Sequence, residues 1–135
     1  KFEAGTPPIA QVIAFGESYR YIANYSSKEI KYHIHDLTQY AFTRLSNIEH
    51  ITIVSSPKSV SIVSFYHEYV HSYDIANLLS TYGICLRSGH LCAQPFMNQL
   101  NRQQLLRISF TIYNSKHEID VFINCLNECL ELLNI

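Results

Sequence analysis

At His50 the hydrophobic rhythm of this sequence changes, and the change dictates what the chain can fold into. Before it, Ile30, Ile34, Leu37, Tyr40, Ala41, Leu45 and Ile48 recur at spacings of three and four, the period of an amphipathic helix. This helix opens at Ser26-Ser27, with Ser27 as its expected cap. After His50 come short β-rich runs: residues 51–54, a turn over residues 55–58 that contains Pro57, and residues 60–65. Two such runs joined by a tight turn are expected to pair antiparallel. Further on, Ile75, Leu78 and Leu79 mark a helix with Ser72 or Asp74 to satisfy its first amides and Gly83 at its end. A third strand is expected over residues 84–87, a short helix between Pro95 and Gln104, and a fourth strand over residues 105–113. The last helix begins near His117-Glu118 and carries the stripe Ile119, Phe122, Leu126, Leu130 and Leu133. At the other end, Ile9, Val12, Ile13 and Phe15 follow Thr6-Pro7-Pro8, which reads as a helix to about Tyr25 with Thr6 as cap. The sum is an α/β domain over residues 1–135, helices packed on a mostly antiparallel sheet of about four strands.

Charge and composition narrow the partners. A formal net charge of −1 gives no electrostatic reason to bind nucleic acid or an anionic membrane surface. With 47% hydrophobic and 16% charged residues, the chain resembles a soluble globular domain, and no apolar run approaches the roughly 20 residues of a membrane span. No repeat or low-complexity tract interrupts it. Four cysteines without other marks of secretion point to a reducing cytoplasm.

Residues 87–97, Arg-Ser-Gly-His-Leu-Cys-Ala-Gln-Pro-Phe-Met, fit neither period and lie between apolar flanks, the profile of a functional loop. A cysteine acts as a nucleophile only as its thiolate, which nearby positive charge favours. Cys92 has Arg87 and His90 within five residues, and Gly89 lets the backbone turn. Cys85, Cys125 and Cys129 lie in apolar surroundings and are expected to fill the core. Arg107 stands on the fourth strand, in alternation with Ser109 and Thr111, where its planar fork suits a carboxylate. Thr6, at the start of a helix, adds a hydroxyl to free amides and makes an anion site. His33 and His35 point to different faces of their helix and are expected at the surface. A metal site from Cys85, His90 and Cys92 is disfavoured, since no Cys-x-x-Cys pair completes four ligands.

The loop resembles the active-site signature Arg-x-Gly-His-x-Cys-Ala-x-Pro-x-Met of group II cysteine desulfurases, which include SufS and bacterial selenocysteine lyase. Phe2-Glu3-Ala4-Gly5-Thr6-Pro7 resembles the start of that family's C-terminal domain, and Arg107-Ile108-Ser109-Phe110 with Tyr113-Asn114 resembles its Arg-x-Ser and Tyr-Asn strand. The resemblance implies the C-terminal small domain of a fold-type I, aspartate-aminotransferase-like enzyme that depends on pyridoxal 5'-phosphate (PLP). It implies that Cys92 takes sulfur from L-cysteine as a persulfide, giving L-alanine, for iron–sulfur cluster assembly. His90 then sets the loop or the thiolate charge, Arg87 organises the base of the loop on the substrate side, and Arg107 binds the substrate carboxylate. Thr6 and Gly5 are expected at the cofactor phosphate across a homodimer interface. L-selenocysteine is an alternative substrate, and a SufE-like or SufU-like protein the expected sulfur acceptor.

Two departures stand out. Leu91 occupies a position where many members carry a second His, and residues 66–70 lack the usual Asn and Gly. The family's Schiff-base lysine follows a His, whereas none of Lys1, Lys28, Lys31, Lys58 and Lys116 does. The chain alone is therefore expected to be inactive, a part of a longer enzyme. The alternative is a stand-alone sulfur carrier or scaffold-interaction module that keeps the thiol loop without the cofactor site.

Overall fold

A computed structural model describes residues 4–133, so Lys1 and the Phe2-Glu3 pair lie outside the described residues. In chain order these residues form α1 (Ile9–Ala23), α2 (Ser27–Ser46), β1 (Ile51–Ile53), β2 (Ile62–His67), α3 (Ser72–Thr81), β3 (Arg87–Gly89), α4 (Gln94–Gln99), β4 (Leu105–Ser109) and α5 (Lys116–Leu132). They group into two compact units divided between Tyr32 and His33, within α2.

The first unit holds α1 and the opening of α2. Thr6 does not cap α1: the N-cap residue is Pro8, and no side chain caps it. A capping oxygen reaches the amides two and three residues on. From Thr6 these belong to Pro8, which has none, and Ile9, whose N–H donates to the Pro7 carbonyl at 2.8 Å. No residue of α1 is buried. At α2 the cap is Ser26 and not Ser27. The Glu29 amide donates to Ser26 Oγ, and the Ser26 amide to the Glu29 carboxylate, both at 3.1 Å. That reciprocal pair is a capping box.

The second unit is a four-stranded sheet in the order β1-β2-β4-β3, every neighbour antiparallel. Alternation along β2 turns Val63, Phe65 and His67 inward. Leu37, Ala41 and Leu45 of α2, Ile75 and Leu79 of α3, and Ile119, Phe122 and Leu126 of α5 pack with Val63, Phe65, Leu106 and Ile108 into one core. The helices therefore cover one face of the sheet. Phe65 is fully buried, and truncating such a ring to Ala costs about 3–5 kcal/mol.

Several element boundaries differ from expectation for identifiable reasons. β2 starts at Ile62 because Ser61 is left-handed (φ 76°) and its amide is held by Thr38 Oγ1 at 3.0 Å. β3 starts at Arg87 because Gly83 (φ 77°) and Ile84, whose amide donates to Leu79 O at 3.0 Å, close the end of α3. β4 ends at Ser109, so Thr111 lies beyond the strand and its amide donates to Asn114 Oδ1 at 2.9 Å. The N-cap of α3 is His71, whose Nδ1 accepts from the Tyr73 amide, not Ser72 or Asp74. Ser72 is buried instead. α5 begins at Lys116 behind a capping box of Ser115 and Glu118.

Of the cysteines, only Cys129 is buried, Cys125 is half-buried, and Cys85 is exposed, which corrects the expectation that it fills the core. Cys85 lies between Ile84 and Leu86, which face inward, in the extended stretch that leads to β3. His35 is exposed, whereas His33 is half-buried with its Nε2 3.0 Å from the Asn114 carbonyl oxygen. No described helix is long and apolar enough to cross a membrane.

Candidate functional site

The sheet face away from the helices is where the chemistry collects. In the β3–β4 register Arg87 stands directly opposite Arg107, and in the β2–β4 register Ser64 stands opposite Arg107 on its other side. Directly opposed residues share a face, so Arg87, Arg107 and Ser64 form one row across three strands. In the neighbouring row Gly89 stands opposite Leu105, and Tyr66, two residues along β2 from Ser64 and so on the same face, carries the guanidinium of Arg102 at 4.2 Å from its ring. None of the side chains that the register puts on this face is acidic. The Nε of Arg107 is buried without a hydrogen-bond partner. Such a donor is rare in a folded protein, and here it is left free to take an acceptor.

β3 delivers the chain into the cysteine loop. Gly89 (φ 113°) makes the first turn, and Leu91 (φ 54°) and Cys92 (φ 57°) then follow in the left-handed region. Two consecutive side-chain-bearing residues there cost about 1–2 kcal/mol each. His90 meets that cost from both ends of its own residue. Its Nδ1 accepts from the Cys92 amide at 3.0 Å, and its carbonyl accepts from the Ala93 amide at 2.9 Å. With Nδ1 accepting, the His90 proton resides on Nε2. α4 then begins at Gln94, with Pro95 in its first turn and Met97 fully buried, which anchors the far side of the loop.

The result is an exposed thiol held in a bent backbone, with Arg87 Nη2 donating to Cys92 Sγ at 3.2 Å. Cys92, His90 and Arg87 thus come together as their spacing suggested, and Arg107 lies beside Arg87 on the same face. Thr6 and Gly5 are described separately, in the first unit. Both are exposed, and Gly5 (φ 95°) takes a conformation suited to glycine. Ser64, Tyr66 and Arg102 were not singled out from the sequence. Alternation along residues 62–66 separates Ser64 and Tyr66 from Val63 and Phe65, but only the strand register places them beside Arg107. Among the described residues, no group of three or more His, Cys, Asp and Glu side chains is arranged to hold a metal ion.

The sequence profile of the aminotransferase class-V family matches residues 1–122. The chain belongs to the aminotransferase class-V family. Within it, this chain is similar to proteins described as probable cysteine desulfurase. It is 41% identical to one from Staphylococcus aureus strain Mu50 over 99% of the chain and 33% of the relative. It is 40% identical to one from Halalkalibacterium halodurans over 97% of the chain and 32% of the relative. Among solved structures, it is similar to the cysteine desulfurase CsdA from Escherichia coli, with a TM-score of 0.90 and 32% identity over 96% of this chain and 32% of that one. A cysteine desulfurase from Thermococcus onnurineus NA1 matches with a TM-score of 0.89, 32% identity, and coverage of 96% and 33%. The chain thus spans about one third of the length of the relatives it matches. Its fold, helices on a four-stranded antiparallel sheet, is the small domain of these PLP-dependent enzymes. The fold alone is shared with C-DES, described as a cystine C-S lyase, at 18% identity and a TM-score of 0.62 in a structure of a mutant with glycine covalently linked to the PLP cofactor.

Proposed function

We propose that this chain is the C-terminal, sulfur-accepting part of a PLP-dependent cysteine desulfurase of group II, SufS-like. The observation that carries the reading is the row of Arg87 and Arg107 beside Cys92, an anion-binding face with an exposed sulfur nucleophile at its edge.

The residues present fit the substrate end of such a site. Arg107 offers a buried, unsatisfied Nε to a carboxylate oxygen, and two arginines side by side favour a negative ligand. Its rigid base on β4 fixes where that carboxylate sits. Thr6 and Gly5 supply a hydroxyl and an open backbone for a phosphate, at a helix start where no side chain competes. The described lysines do not stand on β3, β4 or the cysteine loop, and Lys116 is paired with Asp36 at 2.8 Å. The covalent hold on the cofactor therefore comes from residues other than these. When bound, PLP supplies an electron sink for the bonds of the substrate's carbon skeleton.

The chain's own work is sulfur transfer. Cys92, as thiolate, forms a bond to the sulfur of L-cysteine while the carbon–sulfur bond breaks, leaving a persulfide on Cys92. The carbon takes a proton and leaves as L-alanine. Arg87 holds the Cys92 sulfur by its hydrogen bond, and His90 holds the loop in the shape that exposes it. L-Selenocysteine carries selenium at the same atom and fits the same site. An exposed loop suits handing the sulfur to a SufE-like or SufU-like acceptor for iron–sulfur cluster assembly. The longer protein is read as a cytoplasmic homodimer, with Thr6 and Gly5 serving a cofactor held across the interface.

The test combines the chain with a separately expressed N-terminal portion of a cysteine desulfurase, PLP and L-cysteine, and measures alanine. Arg107→Lys keeps the charge but loses the fork, and is expected to raise KM about tenfold with a smaller change in kcat. An unchanged KM removes Arg107 from the carboxylate role.

A further inference from the structure

Residues 66–70 depart from the family pattern, and beyond Tyr66 they take no part in the site above, yet they are built around a buried titratable group. His67 is 4% exposed at the end of β2. Its Nδ1 accepts two backbone hydrogen bonds, from the Tyr69 amide at 3.3 Å and the Val70 amide at 3.2 Å. These bonds make the turn that leads to α3. A ring nitrogen that accepts carries no proton, so His67 is neutral with its hydrogen on Nε2. The only place for a second proton is Nδ1, where it would meet two N–H donors and leave both turn amides without an acceptor.

We propose that His67 is an acid-sensitive latch: protonation of its Nδ1 breaks both backbone bonds at once and releases the turn over residues 68–70. The groups around it are specific. His50, ahead of β1, meets the His67 ring edge-on at 5.8 Å, and its Nδ1 lies 3.9 Å from the Glu68 carboxylate. Tyr69 packs edge-on at 6.2 Å. His67 lines a cavity of about 500 Å³ together with Arg44 of α2, Glu49 and His50 of the α2–β1 turn, and Glu131 of α5, and Arg44 is already paired with Asp120. On its other side it lines a cavity of about 270 Å³ with Tyr66, Glu68, Tyr69, His71 and Arg102. Burial pushes the His67 pKa below its ordinary value, the positive charge of His50 adds to this, and the Glu68 carboxylate opposes it. The latch therefore opens on the acid side of neutral histidine titration.

The turn is not isolated. Val70 belongs to the core, and His71 caps α3 through its own Nδ1. Arg102, Gln103 and Gln104, which also line the smaller cavity, connect α4 to the strand of Arg107. Release of the turn thus loosens a wall of the frame that holds the site, although the latch itself does not depend on what that site does.

The experiment is nuclear magnetic resonance on the whole chain, following the His67 ring protons and the exchange protection of the Tyr69 and Val70 amides as the pH is lowered. The two amides are expected to lose protection by about tenfold in step with the His67 titration. In His67→Asn the Oδ1 atom replaces Nδ1 at the same number of bonds from the backbone and does not titrate, so protection at both amides stays level. If the wild-type amides keep their protection through the His67 titration, or if His67→Asn loses it at the same pH, the latch is wrong. Should His67→Asn not fold, two variants decide the matter. Glu68→Gln is expected to move the midpoint to lower pH and His50→Asn to higher pH, and an amide midpoint that ignores both overturns the proposal.

Discussion

Arg87 and Arg107 face each other across β3 and β4, an arrangement of like charges that weakens a sheet unless something negative joins them. Beside this pair, Arg107 Nε is buried without an acceptor, and Cys92 Sγ is turned toward Arg87 by a left-handed backbone. Each feature costs stability, and the binding and reacting site proposed above would be the reason to keep it. His67 is the other residue held in a costly form, and its effect on stability has a definite sign. Its folded pKa lies below the ordinary 6.5, so as the pH falls the unfolded chain takes up the proton first. The stability it contributes is complete above that value and is lost as the pH falls toward the folded pKa. Between about pH 7.5 and about pH 5 the urea midpoint of the wild type should therefore fall further than that of His67→Asn. Parallel curves for the two proteins would remove His67 from the pH dependence.

At the scale of elements, helix ends depend on single oxygen atoms. Ser115 Oγ accepts from the Glu118 amide while the Glu118 carboxylate accepts from the Ser115 amide at 2.7 Å. Ser115→Ala should lower stability by about 1 kcal/mol, read as a shift in urea midpoint without a change in slope. Ser27→Ala, at a helical position behind the true cap Ser26, should do much less, and equal losses would contradict the assignment of caps. These details also mark how far the sequence could be read. The order of helices and strands, and the gathering of Cys92, His90 and Arg87 in one loop, were legible because period and motif are local properties. Ser26, Ser115 and His71 were not legible as caps because the choice among neighbouring polar residues depends on the backbone path, as Pro8 demonstrates for Thr6. Ser64, Tyr66 and Arg102 were missed because strand register is a long-range property. Cys85 was misplaced because an apolar neighbourhood in sequence does not say which side of an extended segment faces the core.

At the scale of the whole molecule, the sheet is asymmetric. Its inner face carries the core under α2, α3 and α5, while its outer face carries arginines, hydroxyls and the route to Cys92. α1 shows the limit of pattern alone, for its Ile13 and Phe15 form the expected helix and yet are 64% and 73% exposed. The chain spans about one third of its cysteine desulfurase relatives, and under the function proposed above it contributes a thiol, a carboxylate fork and a loop that presents them. Two thiols, Cys85 and Cys92, are exposed, and only one of them lies against Arg87. The most direct measurement is therefore peptide mass mapping of the chain after incubation with PLP, L-cysteine and a separately expressed N-terminal portion of a cysteine desulfurase. One added sulfur atom on Cys92, absent from Cys85 and lost in Cys92→Ser, is the result predicted. Sulfur on Cys85 instead, or an unmodified Cys92 while alanine accumulates, would contradict the account.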